Sequence, residues 1–280
     1  MLEMWNSVMA GEAVYSNALW AFAFCLGLGA VVGVLAGLLG IGGGLLVVPA
    51  LVWLLPLAGI ESQQVMHMAL ATSLASIVMT SGSSARNHYR LGNIDFALVK
   101  GLAPGVILGG LGGSAIAELV PSDSLPRIFA IIVLLLAIQM LLSMRFTSNR
   151  PLPGAGKTFC AGGIIGVLSS LAGIGGGSLT VPFLNWHGVE MRRAIGCASF
   201  AGAMIAVAGM IGFIAAGVGD EALPPLSVGY VYIPALLGIA LTSTTTTRFG
   251  AAWVSRLPTP MLKKIFAVFL LFISAKMFMG

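Results

Sequence analysis

The chain has 280 residues, of which 58% are hydrophobic and 8% charged, with a net charge of +5. Soluble domains run nearer a quarter charged, so a large soluble core is excluded, and repeated apolar runs of about 20 residues indicate an all-α polytopic membrane protein. The basic residues lie in short loops between apolar runs, where they set topology rather than bind nucleic acid, and the three cysteines form no C-x-x-C pair, so neither a disulfide nor zinc is implied.

Residues 1–16 carry Glu3 and Glu12 but no Lys or Arg, so they read as an N-terminal tail without the basic start of a signal peptide. The first apolar run is Ala18 to Leu39, with Gly29, Gly33 and Gly37 four apart on one smooth face. A break follows at Gly40–Gly44, then a short run to Leu57. Val65–Ser84 is the next span, followed by a basic loop with Arg86, His88 and Arg90. Phe96–Leu119 carries Gly101, Gly105, Gly109 and Gly113, the mark of a tightly packed inner helix. Pro121 and Pro126 flank the turn before Arg127–Met144. The stretch Arg145 to Lys157, with Asn149, Pro151, Pro153 and Gly154, is the joint between halves. Thr158–Ala172, a second break, Ser178–Trp186, Ala194–Val218, Val228–Thr247 and Met261–Met279 complete the chain.

The two breaks share one pattern. Gly40-Ile41-Gly42-Gly43-Gly44 leads to Pro49, and Gly173-Ile174-Gly175-Gly176-Gly177 leads to Pro182, at a constant offset of 173 − 40 = 133. Ala69-Leu70-Ala71-Thr72-Ser73 aligns with Ala194-Ile195-Gly196-Cys197-Ala198, and Pro121 with Pro258. The chain is therefore an internal duplication, with a first repeat at 17–145, a linker at 146–157 and a second repeat at 158–280. Interrupted hydrophobic segments at matching places of two halves point to the binding site of a transporter.

Thr158–Ala172 is 15 residues, about 22 Å as helix, against a hydrocarbon core of about 30 Å. Charge then separates a kinked span from a hairpin. If the second break is a hairpin tip, Arg86, Arg90, Lys100, Arg145, Arg150, Lys157, Arg192, Arg193, Arg248, Arg256, Lys263 and Lys264 share one face, and only Arg127 and Lys276 lie opposite. That twelve-to-two division is what a cytoplasmic face requires, whereas kinked spans divide the same residues seven and seven. The expected architecture is two inverted-topology repeats, each of about five membrane elements including a Gly-broken hairpin.

A helix that starts after a Gly-rich turn presents free N–H groups and a positive dipole end, and glycine lets an anion approach the backbone. Gly40, Gly42, Gly43, Gly44, Gly173, Gly175, Gly176, Gly177 and Ser178 are therefore the candidate substrate-binding residues, with Pro49 and Pro182 as structural parts of the motif. The competing role for the glycines is close helix crossing. Thr72 and Ser73 add hydroxyl donors that bring no second ion into lipid, with Cys197 at the position of Thr72 in the second repeat. The run Thr242–Thr247 points all around its helix, so helix packing and back-bonding fit it better. Asp95, Glu118, Asp123, Glu190, Asp220 and Glu221 fall near span ends, where they are poorly placed for a proton relay, and His67 reads as interfacial. No metal-ligand cluster or nucleophile–base set appears, so no enzyme, metal or cofactor is expected.

The duplicated G-x-G-G-G-hydrophobic-x-V-P, with Ala71-Thr72-Ser73-Leu74 after the first copy, resembles the TauE/SafE sulfite exporter family, also called the 4-toluene sulfonate uptake permeases. The resemblance covers roughly residues 20 to 280. It implies a multi-pass transporter of the bacterial inner membrane for sulfur-containing anions such as sulfite, thiosulfate or organosulfonates. The expected mechanism is alternating access around a midplane site; the alternative is an anion channel. The expected partners are the anion and the bilayer, with a homo-oligomer left open.

Overall fold

The computed structural model describes residues 2–39, 43–60, 62–142, 153–253 and 259–279. In chain order the helices are α1 (Leu2–Leu39), α2 (Gly44–Leu57), α3 (Ser62–Arg90), α4 (Phe96–Leu119), α5 (Leu125–Leu141), α6 (Ala155–Leu171), α7 (Gly177–Trp186), α8 (Met191–Gly217), α9 (Ile233–Trp253) and α10 (Thr259–Met279). Stretches of α1, α3, α4 and α8 are long and apolar enough to cross a bilayer, while α2, α5 and α6 are shorter apolar helices. Large apolar side chains such as Leu108, Leu135, Ile164 and Phe272 face outward, as helices in lipid require.

Several boundaries differ from those expected. α1 is helical from Leu2, so the stretch read as a tail continues the first helix. α3 runs on to Arg90, which puts Arg86 and His88 on helix rather than in a loop. No Gly or Pro interrupts that stretch until Gly92, whose φ of 68° ends it. The span expected from Val228 instead opens with an antiparallel ribbon, β1 (Ser227–Val228) and β2 (Val231–Tyr232), pairing Ser227 with Tyr232. Gly229, at φ 52°, makes the turn between these strands. Among the described residues the chain is otherwise helical, as the all-α reading expects. Of the joint between halves, residues 146–152 lie outside the described residues, and α6 already begins at Ala155.

Glycine stripes set the packing. A Cβ on Gly105 would meet the carbonyl of Phe159, one on Gly109 the carbonyl of Gly163, and one on Gly113 the carbonyl of Val167. Residue numbers rise together, so α4 and α6 run parallel with their backbones nearly touching. α1 and α9 repeat the arrangement: Gly238 lies against Phe22 and Cys25, Gly29 against Thr242, and Gly33 against Thr246. α3 and α8 run antiparallel. Leu74 packs on Gly209, and Ser84 Oγ lies 3.1 Å from Ser199 Oγ. Late in α10, Ser274 Oγ donates to the carbonyl of Ala130, early in α5, at 2.8 Å.

The second break turns the chain within this frame. Thr158, at the start of α6, lies beside Gly101 of α4. Leu184, near the end of α7, shares an apolar cluster with Val99 and Leu102 of α4 and with Ala194 and Cys197 of α8. Both ends of the α6–α7 unit thus lie level with the first two turns of α4.

Gly105→Ala is expected to lower the melting temperature of the detergent-solubilised protein, since the added methyl has only backbone to displace; overpacking of this kind costs about 1–3 kcal/mol. Gly156→Ala, whose Cβ would have nothing within 4 Å, should leave the melt unchanged. Equal melts for the two variants would contradict the packing described.

Candidate anion site at the two helix breaks

α6 ends in a glycine stop. The N–H of Gly173 donates to Ser170 O at 3.1 Å and that of Ile174 to Ser169 O at 2.9 Å. Gly173 and Gly176 have φ of 58° and 67°, in the left-handed region that a side chain strains. α7 then starts at Gly177, and its first turn closes with Thr180 N–H donating to Gly176 O at 2.8 Å. Among the described residues, the N–H groups of Gly175, Gly176 and Ser178 make no backbone hydrogen bond. They are the open donors of a helix N-terminus.

The first break is built differently where it is described; Gly40 and Gly42 lie outside the described residues. Gly43 has φ −75°, an ordinary right-handed value, so no turn demands glycine there. Space does: a Cβ on Gly43 would run into Val32 Cγ1. A Cβ on Gly44 would collide with the carbonyl of Gly173 and stand 3.1 Å from the Cα of Ile174. The breaks, 133 residues apart in sequence, therefore touch. Ile77 of α3 lies under both, close to Gly44 and to Gly175, and Gly202 of α8 lies against the carbonyl of Gly175. Pro49 and Pro182 are each the sixth residue of their helices, where proline withholds one intrahelical bond.

The other predicted residues divide by their partners. Ser73 Oγ donates to Gly173 O at 2.8 Å, tying α3 to the second break. Thr72 Oγ1 accepts the N–H of Tyr232 at 3.0 Å, just before α9. Cys197 Sγ accepts the N–H of Asp95 at 3.3 Å, just before α4. Thr72 and Cys197 each secure the approach to a helix, α9 and α4 respectively. Their polar atoms are occupied away from the breaks. Ser178 Oγ is buried without a partner, and so are Ser169, Ser170 and Thr180, three residues that sequence reasoning passed over. The signal for them was present in the sequence, since they are hydroxyls where the first repeat has none.

Thr242 Oγ1 donates to Leu26 O at 2.8 Å and Thr246 Oγ1 to Thr242 O at 2.9 Å, so these threonines bond to helix backbone as expected. His67, near the start of α3, is buried, with Nε2–H donating to Ala117 O at 3.0 Å, Glu118 Oε2 at 4.0 Å and its ring stacked on Tyr230. With Gln64 and Asp220 these groups line a polar cavity of about 370 Å³. Burial and the Glu118 and Asp220 carboxylates push the Tyr230 phenol up to about 12, so it stays a donor. A second cavity, of about 620 Å³ between α3, α4 and α8, is almost wholly apolar. Neither cavity contains a break residue.

A family model for the sulfite exporter TauE/SafE matches residues 25–277, which span both breaks. The chain belongs to the TauE/SafE sulfite exporter family. It is 42% identical over 256 residues to a probable membrane transporter protein of Haemophilus influenzae, covering 91% of this chain and 97% of that one. It is 28% identical over 225 residues to a probable membrane transporter protein of Methanocaldococcus jannaschii, covering 79% and 82%. It is 26% identical over 253 residues to the probable membrane transporter protein YdhB of Bacillus subtilis, covering 86% and 92%. No solved structure gives a significant match. As a TauE/SafE member with several helices fit to span a bilayer, it is a multi-pass membrane protein of a transporter family.

Thr72→Val should destabilise this TauE/SafE protein by about 1–3 kcal/mol, because the Tyr232 N–H is left buried without an acceptor. Thr72→Ser should retain most of the stability. Chemical or thermal unfolding of both variants checks this; a valine variant as stable as the wild type would remove Thr72 from that role.

Proposed function

We propose that the protein carries a small sulfur-containing anion, such as sulfite, thiosulfate or an organosulfonate, across a bacterial inner membrane by alternating access. The anion binds where the two glycine breaks meet. The observation that carries this reading is the approach of Gly44 to the Gly173 carbonyl, which brings the duplicated motif to a single place. There the open N–H groups at the start of α7 supply donors and a positive dipole end. The family supplies the substrate class.

Inverted repeats fit the packing. Equivalent helices pair antiparallel, α3 with α8 and α5 with α10. The parallel pair α4–α6 has its counterpart in α9–α1. Thr72 with Tyr232 answers Cys197 with Asp95. All of these relations follow from one two-fold axis lying across the helices, in the plane of the membrane. The level ends of α6 and α7 suit a hairpin, and the twelve-to-two charge division favours a mouth on the cytoplasmic side. Such repeats rock about a fixed midplane site.

Two measurements test the proposal. In a cysteine-free background, single cysteines at Asn149 and Glu190 should be labelled from the same, cytoplasmic side; labelling from opposite sides would remove the hairpin and the inversion. In proteoliposomes, flux of sulfite or thiosulfate should saturate and accelerate when the same anion is loaded inside. A flux that rises linearly with concentration and ignores the internal anion would make the protein a channel.

A further inference from the structure

The duplicated breaks share a glycine motif in sequence but differ in polarity. Around the second break, Ser169 and Ser170 end α6 while Ser178 and Thr180 begin α7, and all four side-chain oxygens are buried without a hydrogen-bond partner. Ser169, Ser170 and Thr180 are 0% exposed. A buried hydroxyl left unpaired weighs about 1–3 kcal/mol against the fold, and native structures leave few such groups. Four lie around this one turn.

Two of them converge. Ser169 Oγ and Thr180 Oγ1 stand 3.5 Å and 3.6 Å from the point that a Cβ on Gly176 would occupy, with Ile205 Cδ1 closer to it at 2.5 Å. They flank the first turn of α7 from either side of the break, beside the open N–H groups of Gly176 and Ser178. Ser170 Oγ points elsewhere, 2.8 Å from where a Cβ on Gly209 of α8 would stand.

The first break offers nothing comparable. At the offset of 133, Ser169, Ser170, Ser178 and Thr180 correspond to Ala36, Gly37, Leu45 and Val47. None of these carries a side-chain donor, and Leu45 and Val47 are core residues with 0% exposure.

We propose that the anion is held at the second break alone, with Ser169 Oγ, Thr180 Oγ1 and the N–H groups of Gly176 and Ser178 donating to its oxygens. The first break supplies an apolar wall. The inference rests on the reading that the breaks form the anion site, and it makes that site one-sided within a two-fold scaffold. The donors are neutral and short. They suit a small, weakly basic head with several oxygens on sulfur, the part common to sulfite, thiosulfate and the sulfonates, and they leave no buried positive charge when the site empties.

The test is calorimetric titration of full-length protein in detergent with sodium sulfite and with sodium thiosulfate, together with melting curves. Ser169→Ala and Thr180→Val remove orphaned hydroxyls, so the ligand-free melting temperature should hold or rise while Kd for a bound anion rises at least tenfold. Ser114→Ala removes a buried hydroxyl already bonded within its own helix and should leave Kd unchanged. If the two variants bind as the wild type does while Gly176→Val binds neither anion, the site stands and the hydroxyl assignment is overturned. A marked fall in the ligand-free melting temperature of either variant also overturns it, because the hydroxyl is then structural. Should Gly176→Val bind normally, or the wild type bind neither anion, the breaks are not the anion site and both readings fall together.

Discussion

A helix broken inside a bilayer exposes backbone groups that lipid cannot satisfy. That constraint governs this fold. The second break survives because it is enclosed by protein on every described side: Ile77 and Ser73 of α3, Gly202 and Ile205 of α8, and Gly44 at the head of α2. The carbonyl of Gly173 takes the Ser73 hydroxyl, while α6 and α7 cap much of the rest. Among the described residues, the N–H groups of Gly176 and Ser178 at the start of α7 are left without a backbone partner.

Glycine serves two separate ends here, and backbone geometry tells them apart. Gly105, Gly109, Gly29 and Gly33 lie within helices and let backbones approach closely, as membrane helices need when lipid gives them no hydrophobic drive to associate. Gly173 and Gly176 carry positive φ and make a turn. Gly43 and Gly44 share the motif of the second break but not its geometry; at them glycine answers to crowding by Val32 and by the opposing break. One repeated string of letters thus has two physical meanings, depending on its neighbours.

The hydroxyls make the same distinction. Thr72, Ser73, Thr242 and Thr246 have backbone partners and hold elements together. Ser169 and Thr180 have none. At the offset of 133 the corresponding positions of the first break, Ala36 and Val47, carry no hydroxyl.

The sequence by itself determined the class of protein and its family, because hydropathy, glycine spacing and repeated strings are local and survive without coordinates. It even set the register of Thr72 against Cys197, which the matching ties to Tyr232 and Asp95 support. Only the tertiary structure decided what those residues do, for their partners lie more than a hundred positions away. It also extended α3 to Arg90, inserted the ribbon before α9, buried His67 against Ala117 and Tyr230, and brought Gly44 to Gly173. Whether a polar group is satisfied is a property of its surroundings in three dimensions. No reading along the chain could separate the occupied Thr72 from the unoccupied Thr180.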